Sequence, residues 1–332
     1  MEFRRDKILE RIHNCTPETY RFIDEWLDES LYITARTSGS TGAPKAIRLL
    51  KADMVTSAIS TNRFFNITDK SSMLCPLSAD YIAGKMMIVR AMLSGAQLWI
   101  EKPGNTPVCQ EYGNIDLIAV VPSQVQHLLD NQRTLKRLKH VLIGGAAVPR
   151  ELSHRITASG VSAYVSYGMT ETCSHVALRR IGESSDEIYE AMPDISFITD
   201  SRGCLIVNSE NRSFHSLTTN DIVRLIDDRH FVWIGRFDNV INSGGIKVYP
   251  EEIEKQIQRL IPEDTEYYIS KCRDDKWGEV PVLVLSKEVE NAKKMLEDIR
   301  TIVKSKAERP AGIIVRNIEY TSTGKIIRQQ FI

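Results

Sequence analysis

The sequence predicts a layered α/β domain with a β-rich section, followed by a small, mobile α+β domain at the C-terminus. Three observations lead there. Between Ala46 and Ser166, short apolar β-prone runs alternate with helical stretches, the pattern of a layered sheet with helices on its faces. From Gly203 the chain turns to short β-prone runs separated by turns, which reads as antiparallel, hairpin-rich structure. After the glycine-rich, polar stretch 235–245 comes a charged helix opened by Pro250 and then the very apolar run 280–285. A boundary is therefore expected near Asp238, giving domains 1–237 and 238–332.

In residues 1–30, Leu9, Ile12, Phe22, Ile23, Trp26 and Leu27 fall at near-helical intervals, which predicts one or two amphipathic helices. A short strand at 31–35 follows, and after residue 45 come a strand at 46–50 and a helix at 51–64. The alternation continues with a strand at 72–75, a helix at 83–93 and a strand at 96–100. Residues 115–121 read as a buried strand ended by Pro122, with Ser123 as the N-cap of a helix through Leu129. A strand at 140–143 is closed by Gly144-Gly145, Pro149 opens a helix, and 162–166 is the next strand. Short strands are expected at 203–208, 221–226 and 230–234. The last part predicts a helix at 251–260, strands at 266–272 and 280–285, a helix at 289–306, a strand at 313–315 and a polar loop at 321–325.

Composition narrows the function. The chain has 332 residues, with 43 Lys plus Arg against 43 Asp plus Glu, so bulk charge gives no reason to expect nucleic acid or an anionic membrane as partner. Apolar tracts are far too short for a bilayer span, so no membrane insertion is expected. Cys15, Cys75, Cys109, Cys173, Cys204 and Cys272 are scattered, with no Cys-x-x-Cys pair; reduced thiols in a cytoplasmic protein are expected. The basic residues at the N-terminus precede no apolar run, so no signal peptide is expected there.

The stretch Thr37-Ser38-Gly39-Ser40-Thr41-Gly42-Ala43-Pro44-Lys45 offers hydroxyl donors, closely approachable backbone amides and one lysine, the chemistry that surrounds a polyphosphate. A solvated Ser/Gly turn is the alternative. It is not the Gly-Lys-Ser/Thr nucleotide loop, because Pro44 and Ala46 stand where that motif needs Gly and Ser/Thr. Tyr167-Gly168-Met169-Thr170-Glu171 follows a predicted strand and combines a ring that can stack on a base, a hydroxyl for a phosphate oxygen and a carboxylate for Mg²⁺; by itself it reads more readily as a Tyr-Gly turn with an incidental Thr and Glu. Asp221 precedes an apolar strand, where it could accept bonds from ribose hydroxyls or serve as a plain turn residue. Gly235-Arg236-Phe237-Asp238 and Ser243-Gly244-Gly245-Ile246-Lys247 suit a hinge or a simple interdomain turn. Lys325 follows a glycine in a polar loop near the C-terminus, placed either to deliver a positive charge to a reaction or to be solvated.

Taken together and in order, the phosphate loop, Gly144-Gly145-Ala146, Tyr-Gly-x-Thr-Glu, Asp221, Gly-Arg-x-Asp, Gly-Gly-x-Lys and the terminal Thr-Gly-Lys resemble the adenylate-forming superfamily of acyl-CoA synthetases, adenylation domains and luciferases. The resemblance runs from about Thr34 to the end of the chain. It implies that Thr37, Ser38, Gly39, Ser40, Thr41, Gly42 and Lys45 embrace the ATP phosphates, the β- and γ-phosphates leaving as pyrophosphate. Gly144, Gly145 and Ala146 would line the adenine, with Tyr167 stacked on it. Thr170 would touch the α-phosphate and Glu171 would bind Mg²⁺. Asp221 and Arg236 would hold the ribose, Asp238 would be the hinge, and Lys325 would approach the attacking carboxylate and the α-phosphate. Gly244, Gly245 and Lys247 would frame the CoA pantetheine after the small domain turns.

Within that superfamily, residues 121–124, 167–173 and 81–85 are similar to the o-succinylbenzoate-CoA ligases of menaquinone biosynthesis. That acid carries two carboxylates and an aromatic ring. Lys85 or Arg90 would hold the carboxylate that does not react, with Tyr81 and Ser78 lining the pocket. The implied reaction joins o-succinylbenzoate to CoA through an acyl-adenylate, releasing AMP and pyrophosphate. Two alternatives stand beside it: an adenylation enzyme that loads another aryl or amino acid onto a carrier protein, and a nucleotide-binding regulatory protein that has lost the reaction. Lys45, Glu171, Asp221, Arg236 and Lys325 together count against the second. Two departures from the family pattern are expected to matter: only about 36 residues precede the phosphate loop, so most of the usual N-terminal part is expected to be lacking, and Asn220 replaces a glycine before the ribose aspartate, a mild change in a turn.

Overall fold

The computed structural model describes residues 3–36, 46–108, 112–183, 187–320 and 326–331. They form two units, the first comprising Met1–Phe197, Val207–Leu217 and Ile226–Phe231 and the second Ile198–Ile206, Thr218–Leu225 and Val232–Ile332. The fold is a large mixed α/β domain rich in β-sheet with a smaller C-terminal α+β part, as the sequence predicts.

In the first unit six strands run parallel in the order Ile12–His13, Gln97–Ile100, Ser72–Cys75, Ile115–Val120, Leu138–Ile143 and Ser162–Met169. Two further strands, Ser174–Arg180 and Ile188–Ala191, continue the sheet antiparallel. The central strands carry unbroken apolar runs, Met73 to Cys75 and Leu117 to Val120, all buried, as strands covered on both faces must be. The helix Ile82–Ser94 is buried almost all round, from Gly84 to Ala91, and stops at Gly95 in the left-handed conformation (φ 74°). By contrast, Pro17–Leu27 is amphipathic: Thr16 caps it by accepting from the Thr19 amide, and Phe22, Ile23 and Trp26 form its buried stripe. The strands Tyr32–Arg36 and Ala46–Leu50 pair with each other as a separate hairpin, Arg36 opposite Ala46.

One predicted cap is corrected. The helix Pro122–Asp130 has Val121, not Ser123, at its N-cap. Gln124 turns back so that its Oε1 accepts from the Val121 amide at 3.0 Å, and its Nε2 donates to Pro76 O at 3.0 Å and Gly104 O at 2.7 Å. Ser123 instead donates its hydroxyl to Asn105. Proline at the first helical position moves the start two residues upstream.

The second unit contains a sheet in the order Ile246–Val248, Ile241–Ser243, Gly278–Leu285 and Tyr267–Asp274, with Ile313–Val315 parallel to Gly278–Leu285. Helices Pro250–Ile257 and Ala292–Ile302 supply Ile253, Ile257, Met295 and Ile299 to a core shared with Ile241, Val248, Ile269, Leu283 and Leu285. The last helix is shorter than its sequence pattern because Asn291 takes a left-handed conformation (φ 57°) at its start.

Candidate active site

Three parallel strands of the first unit end side by side. Ile115–Val120, Leu138–Ile143 and Ser162–Met169 are neighbours in the sheet, so their C-terminal ends deliver Val121-Pro122, Gly144-Gly145-Ala146 and Tyr167-Gly168 to one edge, where ligands of open α/β sheets bind. Gly144 donates its amide to Val120 O at 3.0 Å, and Gly145 and Ala146 are exposed. The Tyr167 ring meets Tyr189 and Phe231 edge-on, at 5.9 and 5.1 Å between centroids, which sets its plane.

Beyond Tyr167 the chain makes a tight turn that requires glycine at position 168. A register shift falls between Tyr167 and Gly168, and Gly168 lies opposite His175. A Cβ on Gly168 would sit 2.2 Å from Ser174 O, so no other residue fits without moving the backbone. Thr170–Thr172 forms one 3₁₀ turn, and Cys173 and Ser174 follow at φ 56° and 113°, conformations costing about 1–3 kcal/mol each outside glycine. Thr172 holds the turn closed: its hydroxyl donates to Ser174 O at 2.6 Å and accepts from the Met169 amide at 3.0 Å. Arg212 anchors it from behind, donating to Thr172 O at 2.8 Å while pairing with Asp194 at 2.7 Å. Both partners are buried, so removing either leaves an uncompensated charge at a cost of about 3–5 kcal/mol. Thr170 is half-buried and the Glu171 carboxylate is exposed at the tip.

Of the candidates on the Ser78–Arg90 stretch, the two cations are in very different states. Lys85 is buried but satisfied, 3.4 Å from Glu25 Oε2 and 4.5 Å over the Phe22 ring. Arg90 is 1% exposed and has no acidic partner among the described residues. Its Nη2 donates to Ser174 Oγ at 3.2 Å, its Nη1 approaches Met87 Sδ at 3.5 Å, and its Nε has no partner. Burial pushes the guanidinium down to about 10. Tyr81 is largely exposed at the start of the helix, and Ser78 accepts from the Asp80 amide at 3.1 Å in the preceding turn.

His175 is also buried there, 3.1 Å from Thr61 Oγ1. Burial, then the charges of Arg90 and Arg212, push it well below the ordinary histidine value. It is therefore neutral in the folded chain, while the unfolded chain takes up the proton below about pH 6.5. The stability tied to it is present above that pH and is lost as pH falls, by up to about 1.4 kcal/mol per unit. Urea midpoints of the wild type should drop between about pH 7.5 and about pH 5.5, and His175→Gln, which keeps a partner for Thr61, should flatten that drop. Equal slopes would contradict the assignment.

In the second unit the ribose candidates converge. Arg236 reaches Asp221 Oδ1 at 3.4 Å and Asp238 Oδ2 at 3.1 Å, Trp233 Nε1 donates to Asp221 Oδ1 at 3.2 Å, and Asn220 Nδ2 donates to Asp238 at 3.5 Å. Desolvation notwithstanding, the two carboxylates hold the Arg236 guanidinium above its usual value. A fixed carboxylate beside a planar cation is well made to bind a vicinal diol. Trp233 is a site neighbour that sequence analysis passes over, because an indole within an apolar strand carries no motif of its own. Gly244 and Gly245, at φ 58° and 84°, form the two-residue turn between Ile241–Ser243 and Ile246–Val248, a geometry that demands positive φ at both positions. Lys247 lies exposed on the same hairpin.

A model of the AMP-binding enzyme family matches residues 19–213. The chain belongs to the AMP-binding enzyme family. Among curated proteins it is similar to the 2-succinylbenzoate–CoA ligase of Escherichia coli (strain K12), 26% identical over 86% of this chain and 64% of that protein. It thus spans just under two thirds of that relative's length. Among solved structures it is similar to an acyl-CoA synthetase (AMP-forming)/AMP-acid ligase II-like protein from Dyadobacter fermentans, at 34% identity and TM-score 0.65, over 96% of this chain and 94% of that one. The fold is also that of the Bacillus subtilis o-succinylbenzoate CoA synthetase in complex with the acyl-adenylate intermediate OSB-AMP, at 23% identity and TM-score 0.75, covering 89% and 67% of the two chains.

Two further candidates, the stretch from Thr37 to Lys45 and Lys325, lie outside the described residues. No helix among the described residues is long and apolar enough to cross a membrane.

Proposed function

We propose that this chain is an ATP-dependent acid-CoA ligase that works through an acyl-adenylate, with o-succinylbenzoate, an aromatic dicarboxylic acid, as its substrate in menaquinone synthesis. Family membership and the strand-end cluster of Gly144, Gly145, Ala146, Tyr167, Thr170 and Glu171 support nucleotide activation. Asp221 and Arg236 take the ribose, and the stretch Thr37 to Lys45 takes the leaving pyrophosphate. Asp238 is the hinge, and Gly244, Gly245 and Lys247 meet CoA. Among the described residues no three His, Cys, Asp or Glu side chains gather to hold a metal ion; Mg²⁺ that arrives with the nucleotide needs only one or two protein carboxylates, and Glu171 fits that role. The ion would neutralise phosphate charge.

Arg90 is the observation that carries the choice of acid. A fully buried guanidinium without a carboxylate is costly unless something anionic completes it. It contacts Ser174, three residues after Glu171, so the non-reacting carboxylate of the substrate is the natural partner. Lys85, already neutralised by Glu25, serves packing instead. The test is a pyrophosphate-release screen with ATP and Mg²⁺ over aromatic and aliphatic acids bearing one or two carboxylates, with and without CoA. Aromatic dicarboxylic acids should give the highest kcat/KM, with CoA raising turnover. A preference for monocarboxylic acids would overturn the role of Arg90, and no response to any acid would overturn the ligase itself.

A further inference from the structure

Within the second unit, the turn Asp200-Ser201-Arg202-Gly203 is closed tightly on itself. Asp200 Oδ1 accepts from the Arg202 and Cys204 amides at 2.8 and 2.9 Å, and its Oδ2 accepts from Arg202 Nε at 2.8 Å. The Arg202 side chain thus leaves the turn with its direction set, and it reaches both strands that carry the ribose candidates. On one side, Nη2 donates to Thr219 O at 3.5 Å and Nη1 to Asn220 Oδ1 at 3.3 Å, the two residues before Asp221. The same turn grips that strand beyond Asp221, where Val223 donates its amide to Gly203 O at 3.2 Å. On the other side, the guanidinium lies 4.9 Å from the centroid of the Phe237 ring, and Phe237 stands between Arg236 and Asp238 in the chain. Asn220 closes the circuit: its Nδ2 donates to Asp238 Oδ1 at 3.5 Å, while Asp238 Oδ2 meets Arg236 at 3.1 Å.

Stability does not account for this arrangement. The Arg202 and Asp200 side chains are 37% and 19% exposed, and ion pairs open to solvent add little to folding. Local packing comes instead from Cys204, Ile222 and Val240, with Phe237 against them. What a guanidinium adds is a planar fork that donates in two directions and lies on an aromatic ring, which a lysine cannot reproduce. One side chain therefore touches the neighbours of Asp221, Arg236 and Asp238 at once. Asn220 is part of the same device, since a glycine there, as in the family pattern, would leave neither of its two contacts.

We infer that Arg202 is a positioning residue for nucleotide recognition, holding the strand of Asp221 and the segment of Arg236 in the spacing that accepts the two ribose hydroxyls. Asn220 couples it to Asp238. The inference rests on the ribose role proposed for Asp221 and Arg236. It goes beyond that role in making recognition of the diol depend on a residue that touches no part of the nucleotide, and on an asparagine in place of a glycine.

The test is calorimetry on the full chain with ATP and with 2′,3′-dideoxy-ATP, each with Mg²⁺ and without acid or CoA, so that the identity of the acid does not enter. The variants are Arg202→Ala, Arg202→Lys, Asn220→Gly and, in parallel, Asp221→Ala. Arg202→Ala should weaken ATP binding by about 10-fold, the size of one charge-assisted hydrogen bond, and leave the dideoxy nucleotide within about twofold of the wild type. Arg202→Lys should recover part of the loss, and Asn220→Gly should show a smaller one of about 3-fold. These two variants carry the test if Arg202→Ala does not fold. Equal weakening of both nucleotides, or an unchanged preference for ATP in the Arg202 variants while Asp221→Ala loses it, overturns the positioning role alone. An Asp221→Ala chain that keeps the preference overturns the ribose role of Asp221, and a wild type that binds neither nucleotide overturns the proposed function.

Discussion

Lys325→Ala should lower acyl-adenylate formation by about 10²-fold to 10³-fold while ATP still binds. When a carboxylate attacks the α-phosphate, two anions are driven together, and the barrier falls only if positive charge is already in place. In the proposed reaction Lys325, one lysine on a flexible stem, would supply that charge, whereas other groups would hold the nucleotide. Pyrophosphate release under single-turnover conditions, beside nucleotide affinity by calorimetry, separates the two effects. A variant that releases pyrophosphate near the wild-type rate would remove Lys325 from the mechanism. Thioester formation from a supplied acyl-adenylate should be unaffected, because its partners are a mixed anhydride and a thiolate.

Arg90→Met is expected to do something less usual, to lose activity without losing stability. Among the described residues the arginine is buried, its Nε is unpartnered and its terminal nitrogens contact a hydroxyl and a thioether. The free enzyme carries that desolvation uncompensated, so an apolar side chain of similar length should leave the melting temperature unchanged or raise it. With an aromatic dicarboxylic acid, kcat/KM should fall by about 10²-fold, equivalent to about 2.7 kcal/mol, through loss of a charge-assisted bond. With the monocarboxylic analogue the two enzymes should be alike. A drop in melting temperature of more than a few degrees, or equal losses on both acids, would mean that Arg90 is structural.

The sequence showed the fold most clearly where pattern and burial agree. The helix Lys51–Phe64 and the strands Ser72–Cys75 and Ile313–Val315 lie where the sequence pattern puts them. Strand Ser174–Arg180 was not legible, because His175 and Arg179 are buried in it and break the apolar signature that a buried strand otherwise shows. The hairpin at Gly244-Gly245 reads from sequence as a joint, and only the paired positive φ values identify it as a tight turn. At the site, small-residue motifs were visible one by one. The difference between Lys85 and Arg90 was not, since it depends on Glu25, which approaches one of them from sixty residues away and leaves the other alone. The same holds for Arg212 and Asp194, whose pairing behind Thr172 has no local sequence signal.

The most direct measurement is mass-spectrometric detection of the acyl-adenylate in a reaction containing o-succinylbenzoate, ATP and Mg²⁺ without CoA. The proposed chemistry predicts an o-succinylbenzoyl-adenylate and pyrophosphate in equal amounts, with the adenylate converted to thioester and AMP when CoA is added. ATP left intact, or cleavage to ADP and phosphate without an acyl-adenylate, would contradict it.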